Sequence, residues 1–174
     1  MKHRSIRLLV ASLALCAVSL SQAQDYPSKP ITIIVPFAAG GPSDTVARLT
    51  AQTMGNVLKS QMIVENVGGA GGTIGAARLT QAKPDGYTVF IHHIGHATAP
   101  ALYRKLGYDS IKDFEPIGLV NDGAMAVVAR KDFPAANLKE MIAYLKANKE
   151  KINMANAGVG SASHLCGMLF QTAL

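Results

Sequence analysis

The chain has 174 residues and a formal net charge of +6. Residues 1–23 hold three of its 17 basic residues and none of its 11 acidic ones, so the remainder carries +3, which suits small anions, and no Lys/Arg cluster with interleaved aromatics argues for nucleic acid. Cys166 is the one cysteine after position 23, which excludes an internal disulfide in the processed chain, and about 150 residues bury one core, or one domain and part of another.

The first segment reads as an export signal. Lys2, Arg4 and Arg7 form a basic start, Leu8 to Leu20 are mostly apolar, and Ser21-Gln22-Ala23 ends in small residues. This is the layout of a cleaved secretory leader, and the apolar run is short for a membrane span. Leu15 before Cys16 is too bulky for a lipoprotein site. Cleavage after Ala23 is expected, with export and no later segment that could span a membrane.

Ile31 to Val35 is a β-branched run, as in a strand covered on both faces. Ser43 to Leu58 has helical spacing, a second strand is expected at Gln61 to Glu65, and a second helix over 72–82. Pro84-Asp85-Gly86 marks a turn before a third strand at Tyr87 to Ile91. This β-α-β-α-β order predicts an α/β fold built on a doubly wound parallel sheet. Residues 98–113 read as irregular. Strands are expected at Phe114 to Val120, Met125 to Ala129 and Ile152 to Ala155, and Asn121-Asp122-Gly123 reads as a crossing to a second lobe. Asn137 and Glu140 fit a capping box that opens a helix to about Asn148, and a last helix follows Gly160-Ser161. It is expected to carry Cys166 as a small apolar packing residue.

Two glycine-rich turns follow the first two strands. In the first, Phe37, Ala38, Gly40, Gly41, Ser43 and Asp44 admit two readings. Either the glycines allow a tight corner capped by Ser43 or Asp44, or the amides and the helix start face a carboxylate or phosphate. In the second reading Asp44 braces the turn through backbone N–H groups. The second turn, with Gly69, Ala70, Gly71 and Gly72, lacks the nucleotide fingerprints and fits a carboxylate-accepting nest or a plain exposed edge. Glu65 and Asn66 are placed to fix the strand exit.

His92, His93 and His96 admit three roles: metal ligation, structural hydrogen bonding or exposure, and contact with an anion from the end of the third strand. Ser161, Ser163 and His164 do not make a hydrolase triad, because no Gly-x-Ser-x-Gly elbow or acidic orienter is evident. Ser161 reads as a helix cap, with ligand contact from a second lobe as the other reading, and His164 as holding the turn through a backbone carbonyl.

Taken together, several ordered motifs resemble the periplasmic solute-binding receptors of the tripartite tricarboxylate transporter family, the Bug receptors. They are Tyr26-Pro27-Ser28-Lys29-Pro30-Ile31, Pro36-Phe37-x-x-Gly40-Gly41-x-x-Asp44 and Glu65-Asn66-x-x-Gly69-Ala70-Gly71-Gly72. Pro84-Asp85-Gly86-Tyr87-Thr88, Pro100-Ala101-Leu102-Tyr103, Asp113-Phe114-x-Pro116 and Ala157-Gly158-x-Gly160-Ser161-x-x-His164-Leu165 add to them. The similarity covers about residues 26–172.

The resemblance implies a periplasmic-binding-protein type II, or Venus-flytrap, fold with two α/β lobes and a cleft between them. It implies a non-enzymatic receptor for a small organic carboxylate, without a cofactor, working with membrane permease or sensor subunits. Residues 24–122 would form the first lobe and 123–174 the start of the second. Phe37 to Asp44 and Gly69 to Gly72 would wall the cleft, His92, His93 and Ile94 would contribute near the hinge, and Gly160, Ser161, Ser163 and His164 would close it. Relatives carry small or hydroxylated residues near His92 and His93, so this pair is a departure bearing on specificity. Complete members extend well past position 174, and the chain is expected to be an amino-terminal portion. A ligand sensor and an enzyme on a related two-lobed scaffold are the alternative readings.

Overall fold

The computed structural model describes residues 25–174; the secretory leader read at residues 1–23 lies outside the described residues. Three parallel strands, β1 (Ile31–Val35), β2 (Met62–Asn66) and β3 (Thr88–Phe90), form a sheet of order β2-β1-β3. Ile31 pairs with Met62 and Val35 with Asn66, while Thr32 to Ile34 pair with Thr88 to Phe90. Being central, β1 is covered on both faces: Ile31, Ile33, Ile34 and Val35 are all buried.

Helix α1 (Pro42–Leu58) joins β1 to β2, and α2 (Thr73–Thr80) precedes β3. Ala47 and Ala51 of α1 pack on Ile33 and Val35, with Met62, Val64, Val89 and Ile91 at the margin of this core. Two alanines on the buried stripe let the helix approach the sheet closely. The amphipathic spacing and the β-branched runs therefore predict this part of the fold, with boundaries shifted by a residue or two. A short helix, α3 (Gly95–Leu102), runs into the region 98–113 expected to be irregular, and takes in Pro100 in its last turn.

The strand order has a consequence for function. The chain leaves β1 toward β2 on one side, then crosses to β3 on the other, which puts a topological switch point between the carboxyl ends of β1 and β3. The exits of those two strands are Phe37 and His92-His93.

After α3 the structure departs from expectation. None of the strands read at Phe114 to Val120, Met125 to Ala129 and Ile152 to Ala155 forms. A strand exists only through a partner's hydrogen bonds, and none of the described residues supplies one here. Ile117, Leu119 and Val128 are 84–88% exposed in consequence. Helices α4 (Leu138–Ala147) and α5 (Ala162–Ala173) do form, because their starting signals are local. Asn137 Oδ1 accepts from the Glu140 amide at 3.0 Å, and Glu140 Oε2 accepts from the Ala136 amide at 2.8 Å. No helix of the described residues is long and apolar enough to cross a membrane.

Candidate functional site

The exit of β1 is held by a buried carboxylate. Asp44, in the first turn of α1, is 2% exposed. Its Oδ2 accepts from the Gly40 amide at 2.8 Å and from Arg48 Nε at 2.9 Å. Its Oδ1 accepts from Asn66 Nδ2 at 3.0 Å, and the same Asn66 nitrogen donates to the Phe37 carbonyl at 3.0 Å. The Arg48 hydrogen bond, then the Gly40 amide, hold the Asp44 carboxyl down at about 2, against an ordinary 3.8. Asp44 thus braces the turn through a backbone amide, and Asn66 fixes the β2 exit to it. The cap of α1 is Gly41, in an extended conformation and followed by Pro42 as the first helical residue. Neither Ser43 nor Asp44 is the N-cap, because Pro42 already has helical geometry. Arg48 escaped the sequence reading; its signal was the four-residue spacing from Asp44 on one helix face.

The second turn crosses over the first at close range. Gly69, Gly71 and Gly72 all have positive φ, at 129°, 64° and 102°. At Gly71 and Gly72 the space is as restrictive as the dihedral angle. A β-carbon on Gly71 would collide with the Val159 carbonyl oxygen, and one on Gly72 would lie 2.5 Å from His92 Nε2 and 3.3 Å from Pro36 Cβ. Gly71 and Gly72 are buried, while Gly69 and Ala70 face solvent.

At the exit of β3 the histidines bond their own backbone. His92 Nδ1 accepts from the His93 amide at 2.7 Å, and His93 Nδ1 accepts from the Gly95 amide at 3.0 Å. His96 Nε2 lies 3.1 Å from the Ser110 carbonyl oxygen, and must donate to it. Burial, then the charges of His93 and His96, hold His92 down at about 3, and burial lowers His93 and His96 as well. Phe37 stacks on His93 at 4.7 Å between ring centres and meets His92 edge-on at 5.6 Å. These contacts lock both rings. The metal reading finds no support in the geometry, since two Nδ1 lone pairs are spent on amides. Among the described residues no group of three or more His, Cys, Asp or Glu side chains is placed to hold a metal ion.

The Gly158–Ser161 turn lies against this notch. Tyr103 Oη donates to the Val159 carbonyl at 2.7 Å, and a β-carbon on Gly95 would lie 2.5 Å from the Gly160 carbonyl oxygen. Ser161 is 1% exposed and caps α5, its Oγ accepting from the His164 amide at 3.2 Å. Ser163 Oγ accepts from the Ala157 amide at 3.0 Å. His164 Nδ1 accepts from the Gly160 amide at 3.2 Å, so it holds the turn through an amide instead of the carbonyl foreseen. Tyr103 is the second residue that sequence reasoning missed, since nothing local pairs it with Val159.

The structure therefore gathers Phe37, Gly71, Gly72, His92, His93 and Gly160 at the switch point. Ala38, Gly40 and Ile94 face solvent, Ile94 with 59% exposure, and Gly41 and Ser43 sit at the head of α1. A hollow of about 400 Å³ lies apart from this notch, between α2 and residues 105–108, lined by Ile74, Arg78, Lys105 and Tyr108.

The sequence profile described as "Tripartite tricarboxylate transporter family receptor" matches residues 46–174. The chain belongs to that receptor family. The chain is 49% identical over 175 residues to a curated Agrobacterium vitis protein, the UPF0065 protein of the TAR-I ttuE-ttuC' intergenic region, covering all of this chain and 50% of that protein. It is similar to the solved periplasmic binding protein BugD (49% identity, TM-score 0.76), over 85% of this chain and 50% of that one. It is also similar to MatC from Rhodopseudomonas palustris, solved with bound malate (41% identity, TM-score 0.78), over 84% of this chain and 50% of that one. The chain spans about half the length of the curated relatives it matches.

Proposed function

We propose that the chain acts as an extracytoplasmic receptor that captures a small organic carboxylate, without turnover, for tripartite tricarboxylate-type uptake. The observation that carries this reading is the convergence of three strand exits and the Gly158–Ser161 turn on one notch at the switch point. In this reading the anion is met by amides of the second glycine turn, since the Gly40, Gly41, Gly72 and Gly160 amides already donate to Asp44, Ala38, Gly69 and His164. Membership of the receptor family and the malate bound by MatC support the ligand class.

In this reading residues 1–23 are the export signal, 24–122 the first lobe and 123–174 the start of a second. Phe37 to Asp44 and Gly69 to Gly72 form two walls, His92, His93 and Ile94 the hinge side, and Gly160, Ser161, Ser163 and His164 the closing side. Lobe closure then excludes water from the bound carboxylate. A membrane permease is the partner the family name points to.

The test is calorimetric titration of the intact, exported receptor with mono-, di- and tricarboxylates. Saturable binding of a carboxylate is expected, and its loss in Gly72→Val would locate it at the notch. A folded receptor that binds none of these acids would overturn the reading.

A further inference from the structure

Resting on the carboxylate-capture reading, we infer that Tyr103 is the latch of the receptor. Its hydroxyl holds the Gly158–Ser161 turn across the notch and so sets how long any captured acid stays. The argument begins with how little else joins the two sides. Among the described residues, the bond from Tyr103 Oη to the Val159 carbonyl, at 2.7 Å, is the one hydrogen bond between residues 25–122 and residues 124–174. No ion pair joins them among those residues either. Val159 is 51% exposed, so apolar burial of its side chain contributes little at the tip of the turn.

Local structure places both partners. Tyr103 closes α3, its amide donating to the Ala99 carbonyl at 3.0 Å. The turn carries its own scaffold: the Gly158 amide donates to Asn156 Oδ1 at 2.9 Å, the Ser161 amide to the Gly158 carbonyl at 3.0 Å, and the Gly160 amide to His164 Nδ1 at 3.2 Å. With Gly158 and Gly160 at positive φ, 105° and 85°, the turn projects the Val159 carbonyl toward Tyr103 and Gly71. That carbonyl seats over Gly71 and the Gly160 carbonyl over Gly95, where a β-carbon would block either approach. The two glycines permit the contact, and the phenol supplies the directional bond that fixes it.

The bond is made by protein atoms alone, so it weights the closed arrangement equally for every ligand. Apparent affinity scales with the fraction of molecules in the binding-competent arrangement, whatever the acid. Removing one neutral hydrogen bond at an exposed position such as this changes an equilibrium by about 3- to 10-fold. Opening must break the bond, whereas an acid enters before it forms. Its loss therefore falls on the dissociation rate. Tyr103 is a positioning residue, because its proton is committed to Val159 and it acts on the acid through the turn.

The test compares the intact, exported receptor with Tyr103→Phe, which keeps the ring beside Gly160 and removes the hydroxyl. Stopped-flow binding of succinate, glutarate and citrate should show dissociation faster by about 3- to 10-fold, by the same factor for each acid that binds, with association within about 2-fold. Paired spin labels at exposed Gln52 and Lys146, with Cys166→Ser, read closure without any acid. A minor closed population is expected there, and Tyr103→Phe should reduce it by the same factor. An unchanged dissociation rate, a change that falls on association, or a loss confined to one acid overturns the inference while leaving carboxylate capture intact. An unchanged distance distribution overturns it independently of any acid. No binding of the three acids by the folded receptor removes the capture reading itself, and the labels still decide whether Tyr103 holds the turn.

Discussion

Asn66 Nδ2 donates to Asp44 Oδ1 at 3.0 Å, joining the end of β2 to the first turn of α1. The bond links two residues 22 positions apart and sets the spacing of both glycine turns, since Asn66 also holds the Phe37 carbonyl. The Asp44 carboxylate is thus spent on Gly40, Arg48 and Asn66 and serves as the brace of the turn.

Replacing that carboxylate has a defined pH signature. Asp44 titrates at about 2 in the fold against an ordinary 3.8, so its contribution is complete above 3.8 and is lost as pH falls toward 2. Asp44→Asn should lower the thermal midpoint by several degrees at pH 7 and remove that part of the acid limb. Thermal melts from pH 7 to 2 check it; identical curves for the two proteins would show that the brace contributes nothing.

His92 acts over a different window. Its folded value of about 3 lies below the ordinary 6.5, because burial and the neighbouring His93 and His96 disfavour the imidazolium. An unfolded chain takes up that proton first, so stability is full above pH 6.5 and falls as pH drops toward 3. His92→Gln should flatten this slope in part, with His93 and His96 supplying the remainder in the same direction. Urea midpoints at pH 7 and pH 5 measure it: the difference should shrink in the variant.

Gly75 sets helix propensity against packing. Within α2, alanine would gain about 1 kcal/mol of intrinsic propensity. A β-carbon there would lie 2.8 Å from Pro36 Cβ and 2.9 Å from the Val67 carbonyl oxygen, neither of which yields cheaply. Overpacking costs about 1–3 kcal/mol, so Gly75→Ala should be neutral to destabilising by about 2 kcal/mol. Gly107→Ala meets nothing within 4 Å and is the neutral control. Chemical denaturation of both decides which effect wins.

The unpaired apolar runs give a solubility prediction. Ile117, Leu119 and Val128 are 84–88% exposed in segments without strand partners, a template for edge-to-edge association. Ile117→Thr, Leu119→Thr and Val128→Thr together should reduce aggregation of this 174-residue chain at high concentration. The thermal midpoint should move by no more than about 0.5 kcal/mol per site in equivalent stability, because little is buried there. Light scattering beside thermal melts reads both.

Sequence by itself determined the β-α-β-α-β core, since β-branched runs, amphipathic spacing and Pro-Asp-Gly punctuation act within a few residues of each other. It determined α4 and α5 for the same reason: Asn137 with Glu140, and Ser161 with the His164 amide, are local caps. Local patterning could not decide whether residues 114–120, 125–129 and 152–155 become strands, because pairing depends on a partner distant in sequence or absent from the described residues. Nor could it decide the state of the histidines. Adjacent His92 and His93 left metal ligation, structural bonding and anion contact open until the β3 exit turned their Nδ1 atoms onto backbone amides. The tie between Asp44 and Asn66, and that between Tyr103 and Val159, likewise needed the fold. Short-range propensities choose elements, whereas hydrogen-bond partners across 22 or 56 positions exist only after the sheet order has brought them together.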